Sequence, residues 1–162
     1  MKKLLFMITL VLIVLAGCSN GEGVFFRSSE WGMDKEEVKE SEGMKEPFLD
    51  GDEVLTYREE LAGYDAQINY YFDEGLVRGY YKVNKNDLIK EYTKEELNEA
   101  LNTILDSLID QHGEPTENNQ SDNLYIWELD NTIITVSLSS SGDSNYLVID
   151  YAEKDFYETL LY

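Results

Sequence analysis

The sequence predicts an α+β domain built from two copies of one unit, a helix followed by three antiparallel strands. Three observations carry this. Met33-Asp34-Lys35-Glu36-Glu37-Val38 and Tyr92-Thr93-Lys94-Glu95-Glu96-Leu97 share one pattern, 59 residues apart. Each is followed by three segments of strand character separated by turn residues. Both helices also end alike, at Glu42-Gly43 with Pro47 beyond and at His112-Gly113 with Pro115 beyond. Glycine suits a left-handed cap, and proline cannot continue a helix.

The chain opens with Lys2 and Lys3, then an apolar run from Leu4 to Leu15 broken only by Thr9, then Leu15-Ala16-Gly17-Cys18. The run is too short for an ordinary transmembrane helix and has the order of a cleaved leader. It resembles the lipobox of bacterial lipoprotein signal peptides. That resemblance implies cleavage between Gly17 and Cys18 and a thioether-linked diacylglycerol on Cys18, the chain's single cysteine. The expected organisation is a signal peptide over 1–17, a lipidated tether over 18–23 and one α+β domain over 24–162, with repeats at about 24–83 and 92–152. The tether Ser19 to Gly23 reaches only about 17 Å when extended, so the domain works close to the membrane.

The 145 residues left after cleavage suit one domain with its own core. With Cys18 lipidated, no thiol remains for a disulfide or a thiolate metal site. The leader holds two lysines and no acid, so a formal charge of −20 becomes −22 in the mature chain. Such a surface repels phosphate backbones, which argues against a nucleic-acid partner. It also repels anionic headgroups, leaving the lipid as the membrane contact.

In the first repeat Asp34 is the expected N-cap, with Glu37 closing a capping box and Met33 packing on Val38 as a staple. This helix is expected to be short, because little beyond Val38 is apolar. Strands are expected at Val54 to Arg58, Ala66 to Phe72 and Leu76 to Val83, with a hairpin turn at Asp73-Glu74-Gly75. Residues Asn84 to Glu91 connect the repeats. Thr93 and Glu96 repeat the capping box, and Leu97, Ala100, Leu101, Ile104, Leu105, Leu108 and Ile109 form a helical stripe through His112 that faces a core. Strands follow at Leu124 to Leu129, Thr132 to Leu138 and Tyr146 to Tyr151, with a tight turn at Asp130-Asn131 and a longer loop from Ser139 to Asn145.

The run Trp31 to Val38, an aromatic, Gly, an apolar residue, a cap and Lys-Glu-Glu-Val, together with the helix exit Gly113 to Pro115, is similar to the small α+β units of BamE-like lipoproteins and of β-lactamase-inhibitor-protein-like tandem domains. The resemblance implies a two-layer arrangement, with all six strands in one sheet and both helices on one face.

Catalytic constellations are absent from the sequence pattern. His112, the only histidine, reads as a C-terminal helix residue whose partly positive ring suits the dipole. No serine has the surroundings of a nucleophile. Asp50-Gly51-Asp52-Glu53 resembles an oxygen-rich cation turn, but Val54 and Leu55 interrupt the EF-hand ligand series, so it reads as a solvated turn. No metal and no cofactor are expected.

The remaining lead is aromatic, with 12 tyrosines and two tryptophans. Alternation sends Ile68, Tyr70, Phe72, Val77, Gly79, Tyr81 and Val83 to one face and Tyr71, Arg78, Tyr80 and Lys82 to the other. The second set, with Tyr57 or Tyr125 as further candidates, forms an expected partner-binding surface with no helix over it. Trp31 and Trp127 are expected in the core. The functional expectation is a lipid-anchored, non-enzymatic envelope lipoprotein on the extracytoplasmic side of the cell membrane, binding a protein or envelope component through the open sheet face. The alternatives are a carboxylate-dependent envelope hydrolase and a small-ligand sensing lipoprotein.

Overall fold

The computed structural model describes residues 26–84, 92–141 and 144–160. The expected leader, the lipobox with Gly17 and Cys18, the tether and the body of the inter-repeat connection lie outside the described residues. The elements are α1 (Lys35–Ser41), β1 (Leu49–Asp50), β2 (Val54–Leu61), β3 (Tyr64–Phe72), β4 (Leu76–Asn84), α2 (Lys94–His112), β5 (Glu117–Asn119), β6 (Leu124–Glu128), β7 (Thr132–Ser141), β8 (Ser144–Glu153) and α3 (Lys154–Thr159).

The expected two-layer α+β fold with helices on one face is overturned. The fold is mainly β: a single antiparallel sheet of eight strands in the order β1-β2-β3-β4-β8-β7-β6-β5 dominates it. Two physical causes account for the difference. Ladder pairing carries the strands beyond their alternating cores, β2 to Leu61 and the β7–β8 hairpin up to the pair Ser141↔Ser144. In addition, α3 sits on the face that alternation leaves open, where Phe156 packs on Tyr71 with ring centroids 5.9 Å apart. Six residues of α3 are too few to display a helical period, so nothing in the pattern announced it.

β4 and β8 join the two halves through seven register pairs from Arg78↔Ala152 to Asn84↔Tyr146. The outermost strands, β1 and β5, are only two and three residues long. Short edges of this kind limit edge-to-edge pairing. Between β2 and β3, Ala62 and Gly63 both take positive φ, 52° and 85°, as a two-residue turn matched to strand twist requires.

Both capping boxes form. Asp34 accepts from the backbone N–H of Glu36 and Glu37 while Glu37 accepts from Asp34 N–H, and Thr93 and Glu96 repeat the exchange. α1 spans just seven residues and buries Val38 alone, whereas α2 buries Leu97, Ala100, Leu101, Ile104, Leu105 and Leu108. The α2 stripe meets the inner face of the sheet: Leu55, Ile68, Tyr70, Tyr81, Val83, Ile134, Val136, Leu147 and Ile149 belong to the same buried cluster. Trp127, 1% exposed, donates from Nε1 to the Gly113 carbonyl at 2.8 Å and ties the α2 exit to β6. Trp31 is only partly buried and donates to Thr132 Oγ1 at 2.9 Å.

The segment before α1 is part of the core. Phe26 is fully buried, with its ring 5.1 Å from those of Tyr70 and Tyr81. Beside it Arg27, at φ 60°, donates to both Glu42 oxygens at 2.6 and 3.0 Å and to Glu59 at 2.9 Å. Tyr70 also donates to Glu42. The buried carboxylate of Glu42 is therefore satisfied by a guanidinium and a phenol, as burial of a charge demands.

Candidate functional site

The outer face of the sheet is built from the residues that alternate with the core set. Across β3, β4 and β8 the register aligns Tyr71 with Arg78 and Ala152, Asn69 with Tyr80 and Asp150, and Gln67 with Lys82 and Val148. Tyr71, Arg78 and Tyr80 thus occupy one face, as alternation requires. They are not alike there. Tyr71 packs on Phe156, and nearby Ile133 and Ala152, on the same face, are 6% and 1% exposed. The idea that no helix covers this face is corrected at that end of the sheet.

The centre of the face is polar and ordered. Arg78 donates from Nε and a terminal nitrogen to the two Asp150 oxygens, both at 2.8 Å. Its guanidinium carbon lies 5.1 Å from the Tyr80 ring centroid, and Lys82 Nζ lies 5.0 Å from that of Tyr146. The bond to Asp150 holds the guanidinium pKa above its ordinary value, and burial raises that of the Tyr80 phenol. A planar fork clamped by a carboxylate and lying beside an aromatic ring has little rotameric freedom left. In the next strand pair Thr56 donates to Asn69 Oδ1 at 2.9 Å. Asn69 Nδ2 and Thr135 Oγ1 are buried with no hydrogen-bond partner among the described residues.

Two of the further aromatic candidates belong to the inner face. Tyr57 is 2% exposed and pairs with Ile68, and Tyr125 pairs with Val136 and packs against the core. Val77 is also displaced from the expected pattern. A register shift at Tyr71/Phe72, where β4 passes from Leu76 to Arg78, takes it out of the ladder, and it is buried outside the main core cluster.

The acidic turn is occupied by lysines. Asp50 receives Lys35 at 3.0 Å and Lys39 at 2.8 Å, and Lys35 also donates to the Gly51 carbonyl at 2.9 Å. The bonds from Lys39 and Lys35 hold the Asp50 carboxyl below its usual range. Among the described residues, no group of three or more His, Cys, Asp or Glu side chains is placed to hold a metal. His112 ends α2, but burial pushes its imidazole pKa down. The helix end is closed by Gly113 N–H donating to the Ile109 carbonyl at 2.8 Å.

Sequence reasoning missed Asp150, Tyr146 and Phe156 as members of this surface. Alternation along β8 could have placed Asp150 and Tyr146 opposite Ile149 and Leu147. Only the pairing of β4 with β8 brings them to Arg78 and Lys82. No helix among the described residues is long and apolar enough to cross a membrane. No protein-family profile, characterised protein or solved structure matches the chain.

Proposed function

We propose that this chain is a lipid-anchored cell-envelope lipoprotein, non-enzymatic, which binds a protein or envelope component through the outer face of its sheet. The anchor is a diacylglycerol on Cys18, on the extracytoplasmic side of the membrane. The observation that carries the binding role is the clamp of Arg78 by Asp150 beside Tyr80. It presents an aromatic ring and a guanidinium in a fixed geometry on a half-buried face, and such groups bury contact area at modest entropic cost. Tyr80, Arg78, Lys82 and Tyr146 form the centre of the surface. Tyr71 supports it from beneath Phe156.

A photo-crosslinking side chain placed at Tyr80 in the full-length protein, in intact cells, tests this reading. One discrete crosslinked species that disappears in Arg78→Ala is the expected result. Crosslinking only to bulk lipid, or a species insensitive to Arg78, overturns it.

A further inference from the structure

The chain has three arginines, and two of them hold a carboxylate in the same way. Arg27 donates from Nε and Nη2 to the two oxygens of Glu42, at 2.6 and 3.0 Å, and Arg78 donates from the same two nitrogens to the two oxygens of Asp150, each at 2.8 Å. Parallel donors along one edge of a planar guanidinium match the two oxygens of a carboxylate. In Arg58 that edge is empty. Its Nε and Nη2 are buried and have no hydrogen-bond partner.

This is an exception in a chain with 33 acids against 13 lysines and arginines. Arg27, Lys35, Lys39, Lys45, Arg78 and Lys154 each pair with a carboxylate. A guanidinium edge that is withdrawn from water and given no anion is costly, because desolvation is not offset by any new bond.

In other respects Arg58 is arranged as Arg78 is. The Phe48 ring centroid lies 3.5 Å from its guanidinium carbon, as that of Tyr80 lies 5.1 Å from the guanidinium carbon of Arg78. Both arginines have the aromatic ring, and only Arg78 has the carboxylate. The Phe48 ring is 53% exposed and lies outside the core cluster, so it can turn aside and open the Arg58 edge without disturbing the interior.

The surroundings favour an incoming acid. On the outer face Arg58 shares a row with Gln67, Lys82 and Val148, and the adjacent row holds Thr56, Asn69, Tyr80 and Asp150. Asp150 is the single acid of these two rows, and Arg78 already occupies it. Lys82 lies beside the Tyr146 ring and pairs with no carboxylate among the described residues. Asn69, 5% exposed, accepts from Thr56 at Oδ1 and leaves Nδ2 without an acceptor. What is unfilled here is a set of donors. The formal charge of −20 opposes a polyanion at long range, whereas one carboxylate in neutral or basic surroundings is captured by the local donors.

We propose that Arg58 is a receptor for a carboxylate, and that the partner of the outer face is a protein that brings a glutamate or aspartate side chain to it. The two oxygens accept from Arg58 Nε and Nη2 as those of Asp150 accept from Arg78. The inference rests on the reading of this face as a binding surface and names the group that the partner contributes.

The test follows the arginine Nε–H groups of the isotopically labelled full-length protein, in uncharged detergent micelles, by heteronuclear NMR. The Arg58 signal is the one lost in Arg58→Lys. The probe is glutamate blocked as N-acetyl-glutamate methylamide, with the corresponding glutamine compound and inorganic phosphate as controls. The expected result is a saturable shift of the Arg58 signal alone with the glutamate probe and none with glutamine. In Phe48→Ala, where the edge is uncovered, the midpoint should fall at a several-fold lower probe concentration. No movement of Arg58 in either protein overturns the proposal, as do equal shifts with glutamate and glutamine. A response to phosphate at lower concentration than to glutamate also overturns it, in favour of a phosphate-bearing ligand. Arg58→Gln in the Tyr80 crosslinking experiment separates this inference from the reading it rests on. Loss of the crosslinked species supports both, and an undiminished species overturns the Arg58 contact while leaving the binding face standing. If no discrete species forms even with Arg58 intact, the binding face falls, and with it the protein partner proposed for Arg58.

Discussion

The ring of Phe26 lies over Gly79 so closely that a Cβ added to the glycine would stand 1.9 Å from it. A central strand that needs glycine for want of space, not for its backbone angles, marks where another segment is pressed against the sheet. Here that segment is the first described stretch of the chain. Gly79→Ala should cost about 1–3 kcal/mol or more through overpacking. Chemical denaturation should show Phe26→Ala and Gly79→Ala to be strongly non-additive, the double variant losing less than the sum, because the alanine at 26 vacates the space the new methyl needs.

Glu42 is nearly fully buried and leans on Arg27 and Tyr70. Arg27→Leu would strand that carboxylate in the core. The expected loss is about 3–5 kcal/mol, the range for breaking a buried pair from one side. Replacing Arg27 and Glu42 together with apolar residues should recover much of it, as equilibrium unfolding would show. A single variant as stable as the parent would mean that water reaches Glu42.

Asp50 has a carboxyl pKa held down by Lys39 and Lys35. A folded-state pKa below the unfolded one adds stability above the unfolded value, and that contribution is lost as pH falls through the folded value. Carboxyl NMR titration should find Asp50 below the ordinary aspartate range, and Lys39→Met should move it up. An unchanged Asp50 titration in that variant would show that Lys39 is not its partner in solution.

On the outer face, Tyr71 and Tyr80 should separate by their effects. Tyr71→Ala should lower stability by about 1 kcal/mol through loss of the ring contact with Phe156. Tyr80→Ala should leave thermal stability nearly unchanged and instead weaken partner capture, by about 1–3 kcal/mol if Tyr80 is an interface anchor. Equal capture by the parent and by Tyr80→Ala would remove Tyr80 from the surface.

Cys18→Ser should leave the domain folded and release it from the membrane fraction. Cell fractionation with a high-salt wash measures this. Tight retention of the serine variant would mean that something other than a lipid on Cys18 holds the protein.

Local grammar made α1, α2 and the six longer strands legible in the sequence, because caps, stops and alternation act over a few residues. Asp34 and Thr93 could be read as caps since each needs only the N–H groups two or three positions ahead. The face of Tyr71, Arg78 and Tyr80 could be read because a strand inverts its side chains at every step. Partners distant in the chain could not be read that way. That Asp150 clamps Arg78 follows from β4 lying beside β8, a pairing between residues 72 positions apart. That Phe156 covers Tyr71 follows from where β8 ends and the chain turns back over the sheet. The same is true of Phe26 on Gly79. The sequence by itself determined α1, α2 and the cores of the six longer strands, and which way most side chains of β3 and β4 point. Only the tertiary structure decided which of those side chains meet, because that depends on strand order and register, to which local periodicity is blind.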